Sequence, residues 1–150
     1  MRLSVQLFIY LYLLATYATG QDKIEWSFQF NASRCIEASA KIETGWHLYS
    51  IHLDPSAGPV PTAISLEKNK SIALTDPWME QGNLLRKFDP TFGAEMSYFE
   101  NDYTLIAPLS VKKQTTVKGE LTYMLCDDKR CLPPKTIPFE INVTPFESKN

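Results

Sequence analysis

The sequence predicts an all-β domain, and three observations carry the prediction. β-branched and aromatic residues recur at alternate positions along several short segments, while no long stretch repeats with the 3.6-residue period of a helix. Ten prolines are spread through the 150 residues, and proline interrupts helices while marking strand ends and edges. Turn signals built from Gly, Pro, Asn and Asp recur at short intervals. Many short strands with frequent turns are best accommodated by a two-sheet sandwich of immunoglobulin-like type.

The first strand shows the alternation most clearly. Ile24, Trp26, Phe28 and Phe30 are separated by Glu25, Ser27 and Gln29, as expected of a strand with one buried face. In the next, Ile36, Ala38, Ala40 and Ile42 form the apolar phase and Cys35, Glu37, Ser39 and Lys41 the polar one. After Gly45 the segment Trp46-His47-Leu48-Tyr49-Ser50-Ile51 reads as a third strand, followed by a Pro/Gly-rich connection over residues 54–61. Further strands are expected over 62–67, 84–88, 103–111, 117–125 and 136–143. There is no internal repeat and no low-complexity tract.

The first twenty residues read as a signal peptide: Arg2 precedes an apolar run from Leu7 to Leu14, and small residues at Ala18 and Gly20 fit cleavage before Gln21. The apolar run is short for a bilayer crossing, and nothing later approaches the roughly 20 apolar residues a span needs, so no membrane span is expected after cleavage. A single domain over residues 21–147 remains, with 148–150 as a loose tail. A chain of that size can bury a core without a disulfide. Export places the cysteines where a disulfide can persist.

A net charge of −2 with scattered lysines provides no basic stripe, which argues against nucleic-acid binding. A phosphate-binding Gly-rich loop, a G-x-S-x-G elbow and a spaced Ser/His/Asp set are all missing, so a hydrolase is not expected. His47 and His52, followed some seventy residues later by the cysteines, do not have a usual zinc spacing. Positions five apart on a strand also face opposite sides, so no metal centre is expected. The sequons at Asn31, Asn69 and Asn142 would matter only in a eukaryotic secretory pathway.

Chemistry is most concentrated in Tyr123-Met124-Leu125-Cys126-Asp127-Asp128-Lys129-Arg130-Cys131-Leu132-Pro133-Pro134. Val117, Gly119, Leu121, Tyr123 and Leu125 share one strand face, and Thr122, Met124 and Cys126 the other, so Cys126 lies out of phase with the core. Pro133 and Pro134 lack backbone donors, so the chain leaving Cys131 should be an edge or loop, and the pair is expected to be accessible. Closing so short a loop removes little denatured-state entropy, on the order of 2 kcal/mol. Cross-strand bridges are easily strained, and strain favours reduction. The residues alone leave redox exchange, a structural bridge and a metal site as alternatives, in that order. Lys129 and Arg130 would stabilise a thiolate while Asp127 and Asp128 oppose it; proximity in sequence slightly favours Cys131 as the attacking sulfur. The odd cysteine, Cys35, has three readings: reactive thiol, intermolecular partner or shielded bystander. The last is expected.

Several segments together carry a family resemblance: Trp26-Ser27-Phe28, Gly45-Trp46-His47-Leu48-Tyr49-Ser50, Gly58-Pro59-Val60-Pro61-Thr62, Asp89-Pro90-Thr91-Phe92-Gly93, Tyr123-Met124 and Cys131-Leu132-Pro133-Pro134. In this order the chain resembles the N-terminal periplasmic domain of the DsbD family of thiol:disulfide interchange proteins. The resemblance implies an immunoglobulin-like domain in the periplasm, with secretion or surface attachment as the alternative location. Its disulfide, Cys126–Cys131 here, would receive electrons from a thioredoxin-like redox protein and pass them to oxidised periplasmic proteins, without a cofactor. It also implies a cap over the cysteines at residues 89–93, with Asp89 and Phe92 in it and Thr91 where the family often has an aromatic residue, and Tyr49 as a wall of the site. Full-length members continue into a membrane domain and a thioredoxin-like domain. These 150 residues carry neither, so the expected electron source is a separate protein, unless the domain serves binding rather than relay. The competing class is a non-enzymatic exported binding module with a structural disulfide.

Overall fold

The computed structural model describes residues 23–90 and 92–146; the expected leader, Thr91 and the tail lie outside the described residues. The described chain is a two-sheet β-sandwich of immunoglobulin-like type. Its strands are β1 (Ile24–Phe30), β2 (Cys35–Ile42), β3 (His47–Tyr49), β4 (Ala63–Leu66), β5 (Ile72–Leu74), β6 (Met79–Asp89), β7 (Ala94–Val111), β8 (Thr115–Tyr123), β9 (Leu125–Cys126) and β10 (Lys135–Val143). One sheet runs β1-β2-β7-β3-β9, with β5 and β6 also paired to β7; the other runs β10-β8-β4. All pairings are antiparallel.

The long strand β7 organises the larger sheet. It pairs with β2 through Asp102–Pro108, with β3 at Tyr98 and Phe99, and with β6 from Ala94 to Ile106. A register shift between Gly82 and Leu84 lets the β6 ladder continue past Asn101, whose φ is 65°. Such bulges bend a strand without ending its pairing.

The alternation expected for β1 and β2 is present: Ile36, Ala38, Ala40 and Ile42 are buried, and Trp26, Phe28 and Phe30 pack against the same core. Between the sheets, Phe28 stacks on Phe139 at 4.4 Å, and Trp26 lies 5.7 Å from the Tyr123 ring and 6.1 Å from that of Tyr103. Leu48, Leu105, Val117 and Leu121 are fully enclosed; truncation of such leucines typically costs about 2–5 kcal/mol. The core also contains a polar anchor. The Glu80 carboxylate on β6 accepts hydrogen bonds from Tyr103 Oη at 2.7 Å, Ser50 Oγ at 2.6 Å and the Ile51 amide at 2.9 Å. It ties β6 and β7 to the turn leaving β3.

Two differences from the sequence expectation concern extent. β6 begins at Met79 rather than residue 84, and β7 at Ala94 rather than residue 103, because the polar run around Asn101 is a bulge inside a ladder rather than a turn. The short β5 was not expected; its pairing with Leu109–Val111 is tertiary rather than locally encoded.

Candidate functional site: a roofed disulfide on the outer sheet face

Strand alternation and register together assemble the site. Leu48 points into the core, so His47 and Tyr49 share the opposite, outer face of the larger sheet. In register, His47 lies opposite Cys126 and Tyr49 opposite Tyr98, while Leu48 faces Leu125 and Phe99 on the core side. Cys126 is therefore out of phase with the sandwich core, as expected.

The outer face is not open to solvent there, which corrects the expectation of an accessible pair. Cys126 is 1 % exposed, and Cys131 is half-buried. Tyr49, Leu53, Met96 and Cys126 form a second buried cluster, packed by Ala57, Phe92, Ala94, Tyr98, Met124 and Cys131. The physical reason is that two connections fold over the sheet: residues 54–61, containing the 3-10 turn Pro55–Ala57, and the segment that carries Phe92. The Val60 amide lies 3.3 Å from Met124 Sδ, and Thr62 Oγ1 donates to the Tyr49 carbonyl at 2.6 Å. Both contacts hold the first connection down. Beside it, the Gly93 amide donates to the Asp89 carbonyl at 2.8 Å.

Cys126 and Cys131 are joined in a disulfide, with their Cα atoms 4.0 Å apart. The hairpin between them is a compact turn. Asp127 Oδ1 accepts from the Lys129 and Arg130 amides at 2.8 and 2.7 Å, the Asp127 amide donates to the Arg130 carbonyl at 2.9 Å, and Leu132 donates back to Leu125 at 2.8 Å. Those backbone donors hold the Asp127 carboxyl below its ordinary range, Lys129 first and then Arg130. Asp127 is thus a turn-former before it is a charge acting on sulfur. The Arg130 guanidinium lies 5.8 Å from the Trp46 ring, a cation–π arrangement. As expected, Pro133 and Pro134 leave on an exposed path.

Cys126, Cys131, Asp89, Phe92 and Tyr49, the residues singled out from sequence, line a single cleft of about 540 Å³. The same cleft brings in His47, Met96, Tyr98 and Glu100, which the sequence reading did not place there. For His47 a signal existed: it stands two residues from Tyr49 on a strand, so any wall containing one contains the other. Its Nε2 lies 3.2 Å from Tyr49 Oη, and its ring packs 4.7 Å from that of Tyr98. Burial lowers the His47 pKa against the opposing pull of Glu100, Asp128, Asp89 and Asp127. Burial, with help from Asp89 and Tyr98, pushes the Tyr49 phenol up to about 12, so it stays protonated. Tyr98 is raised chiefly by burial as well. Cys35 carries a free, half-buried thiol whose Sγ lies 3.6 Å from the Ser33 carbonyl; it does not line the cleft. Among the described residues no group of three or more His, Cys, Asp or Glu is placed to hold a metal ion.

The chain is thus a small β-sandwich with a short-loop disulfide in a cleft that the Phe92 ring of a separate connection also lines. A family model for the N-terminal part of thiol:disulfide interchange protein DsbD matches residues 16–142, and the chain belongs to this family. In structure it is similar to the reduced N-terminal domain of DsbD from Neisseria meningitidis, at 15 % identity and a TM-score of 0.60, covering 81 % of this chain and 86 % of that one. It is also similar to a chain from the complex between the DsbD and PilB N-terminal domains of the same organism, at 14 % identity and a TM-score of 0.58, covering 83 % and 87 %. No curated protein matches it significantly in sequence.

Proposed function

We propose that this domain is a periplasmic thiol–disulfide relay: the Cys126–Cys131 disulfide takes electrons from a thioredoxin-like donor and passes them to oxidised proteins of the same compartment. The observation that carries this reading is the asymmetry of the pair. Cys126 is buried and Cys131 is half-buried at the cleft, so one sulfur can meet a partner while the other is held back to resolve. The solved complex between DsbD and PilB N-terminal domains supports a protein partner for a fold of this kind. In the reading direction of a reductase, the Cys131 thiolate attacks the partner's disulfide and forms a mixed disulfide. Cys126 then displaces the partner as a dithiol, and the domain is left oxidised. Phe92 and Asp89 serve as the cap, and Tyr49 as the wall that keeps the reduced pair in place. The 1–20 segment acts as the export signal, and 21–147 as the working domain.

Two measurements test this. Cys126→Ala, offered an oxidised substrate protein or a thioredoxin-like protein, should accumulate a reducible covalent adduct through Cys131, whereas the double mutant should form none. The reduction potential of the pair should lie above roughly −300 mV, where exchange-active bridges are found. A lower potential, together with no adduct from either single mutant, would leave a structural bridge in a binding module.

A further inference from the structure

The cleft contains a titratable ring for which the exchange chemistry above has no task. His47 is the register partner of Cys126 across β3 and β9, and residues directly opposite in an antiparallel pair have Cβ atoms about 4.5–5.5 Å apart on the same face. The imidazole is fixed there: its Nε2 is 3.2 Å from Tyr49 Oη, and its ring lies edge-on to Tyr49 at 5.3 Å and against Tyr98 at 4.7 Å. We propose that His47 manages the proton of Cys126, supplying it when that sulfur leaves the disulfide and accepting it back when the disulfide re-forms. This rests on the exchange reading and adds a residue to it.

The step balances as follows. A partner thiolate attacks Cys131 Sγ; a new sulfur–sulfur bond forms between the partner and Cys131. The Cys126–Cys131 bond breaks, and its electron pair remains on Cys126. That sulfur belongs to an enclosed cluster with Tyr49, Leu53 and Met96, and apolar surroundings disfavour a thiolate. The His47 imidazolium transfers its proton to the sulfur, giving a Cys126 thiol and a neutral imidazole, which water reprotonates. In the reverse direction neutral His47 removes the thiol proton, and the regenerated thiolate attacks the mixed disulfide. The partner's thiols supply both electrons.

Charged and titratable groups line the cleft around this ring. Tyr49 shares its strand; Tyr98 and Glu100 come from β7, Lys87 from β6, Asp89 from the cap, and Asp127, Asp128, Lys129 and Arg130 from the hairpin. Burial leads in lowering the proton affinity of His47, and Glu100, Asp128, Asp89 and Asp127 partly restore it. The imidazolium therefore becomes abundant below the ordinary histidine range, and opening of the disulfide is favoured as the medium acidifies.

The test is the rate constant for reduction of the folded, oxidised protein by dithiothreitol, expressed per thiolate, across about pH 5 to 8. Wild type should be about fivefold or more faster at the acid end than at the alkaline end, a modest share of what acid–base assistance can supply. His47→Gln keeps a polar group near Tyr49 but cannot titrate, and its profile should be flat within about twofold. His47→Asn, a second variant without a titrating ring, should be flat as well, so that misfolding of one does not decide the result. Profiles that coincide with wild type in a folded variant overturn the proposal. Because dithiothreitol needs no protein partner, this result is independent of the adduct experiment: a missing adduct ends the relay reading, whereas a pH profile indifferent to His47 ends only this one.

Discussion

Phe92 lies directly on Gly58: a Cβ placed on Gly58 would stand 2.9 Å from Phe92 Cε1 and closer still to Cδ1. The two connections that cover the disulfide are thus in contact with each other, ring against bare backbone. Gly58 also has a φ of 119°, a conformation that side-chain-bearing residues rarely adopt.

Under the proposed cap, this contact makes Gly58 and Phe92 control points for access. Phe92→Ala should speed reduction of Cys126–Cys131 by a small thiol while changing its equilibrium potential little, because removing a cover lowers a kinetic barrier more than it alters bond strength. Gly58→Ala should speed it too, by displacing the same ring, and should cost about 1–2 kcal/mol of stability through its positive φ. An unchanged rate in both variants would mean that residues 89–93 are only a turn.

Replacing both Cys126 and Cys131 with serine should leave a cooperative thermal transition. The sandwich core contains neither sulfur, and the short loop contributes only about 2 kcal/mol of chain-entropy stabilisation. Calorimetry of the double mutant checks this; loss of cooperativity would favour a structural staple.

Alkaline stability should depend on Tyr49. A phenol raised to about 12 in the folded state but ionising near 10 when unfolded contributes stability that is complete below about pH 10 and lost as pH rises through about 12. Full loss amounts to roughly 2–3 kcal/mol. Urea unfolding at intervals from about pH 9 to 12 should show a steeper decline for wild type than for Tyr49→Phe. Parallel curves would contradict the assignment.

Glu80 should matter more than its partial exposure suggests. Glu80→Ala removes the acceptor for Tyr103 Oη, Ser50 Oγ and the Ile51 amide, and should cost about 2–4 kcal/mol in urea unfolding. Glu80→Gln keeps one oxygen in place and should cost about half as much. A change within about 0.5 kcal/mol for both would show that water replaces the carboxylate.

The sequence revealed most where chemistry is local. The period-two pattern of β1 and β2 could be read directly, and so could the phase that turns Cys126 away from Leu121 and Leu125. It was less informative where a distant segment decides the outcome. Whether the face bearing Cys126 meets water depends on Leu53, Ala57 and Phe92, and no periodicity within β9 encodes their arrival. The expected start of β7 at residue 103 fell short for a related reason: only pairing with β6 carries the strand through the bulge around Asn101. Asp89, Phe92 and Tyr49 were reached through the family resemblance; the two-residue spacing from Tyr49 puts His47 on the same face, and only the register of β3 against β9 sets it opposite Cys126.

The separation of the second cluster from the sandwich core has an evolutionary consequence. Tyr49, Leu53, Met96 and Cys126 come from different segments, and none belongs to the set of side chains buried between the sheets. Substitutions that reshape the cleft therefore leave the side chains buried between the sheets untouched, so the site can vary while the same sandwich is inherited.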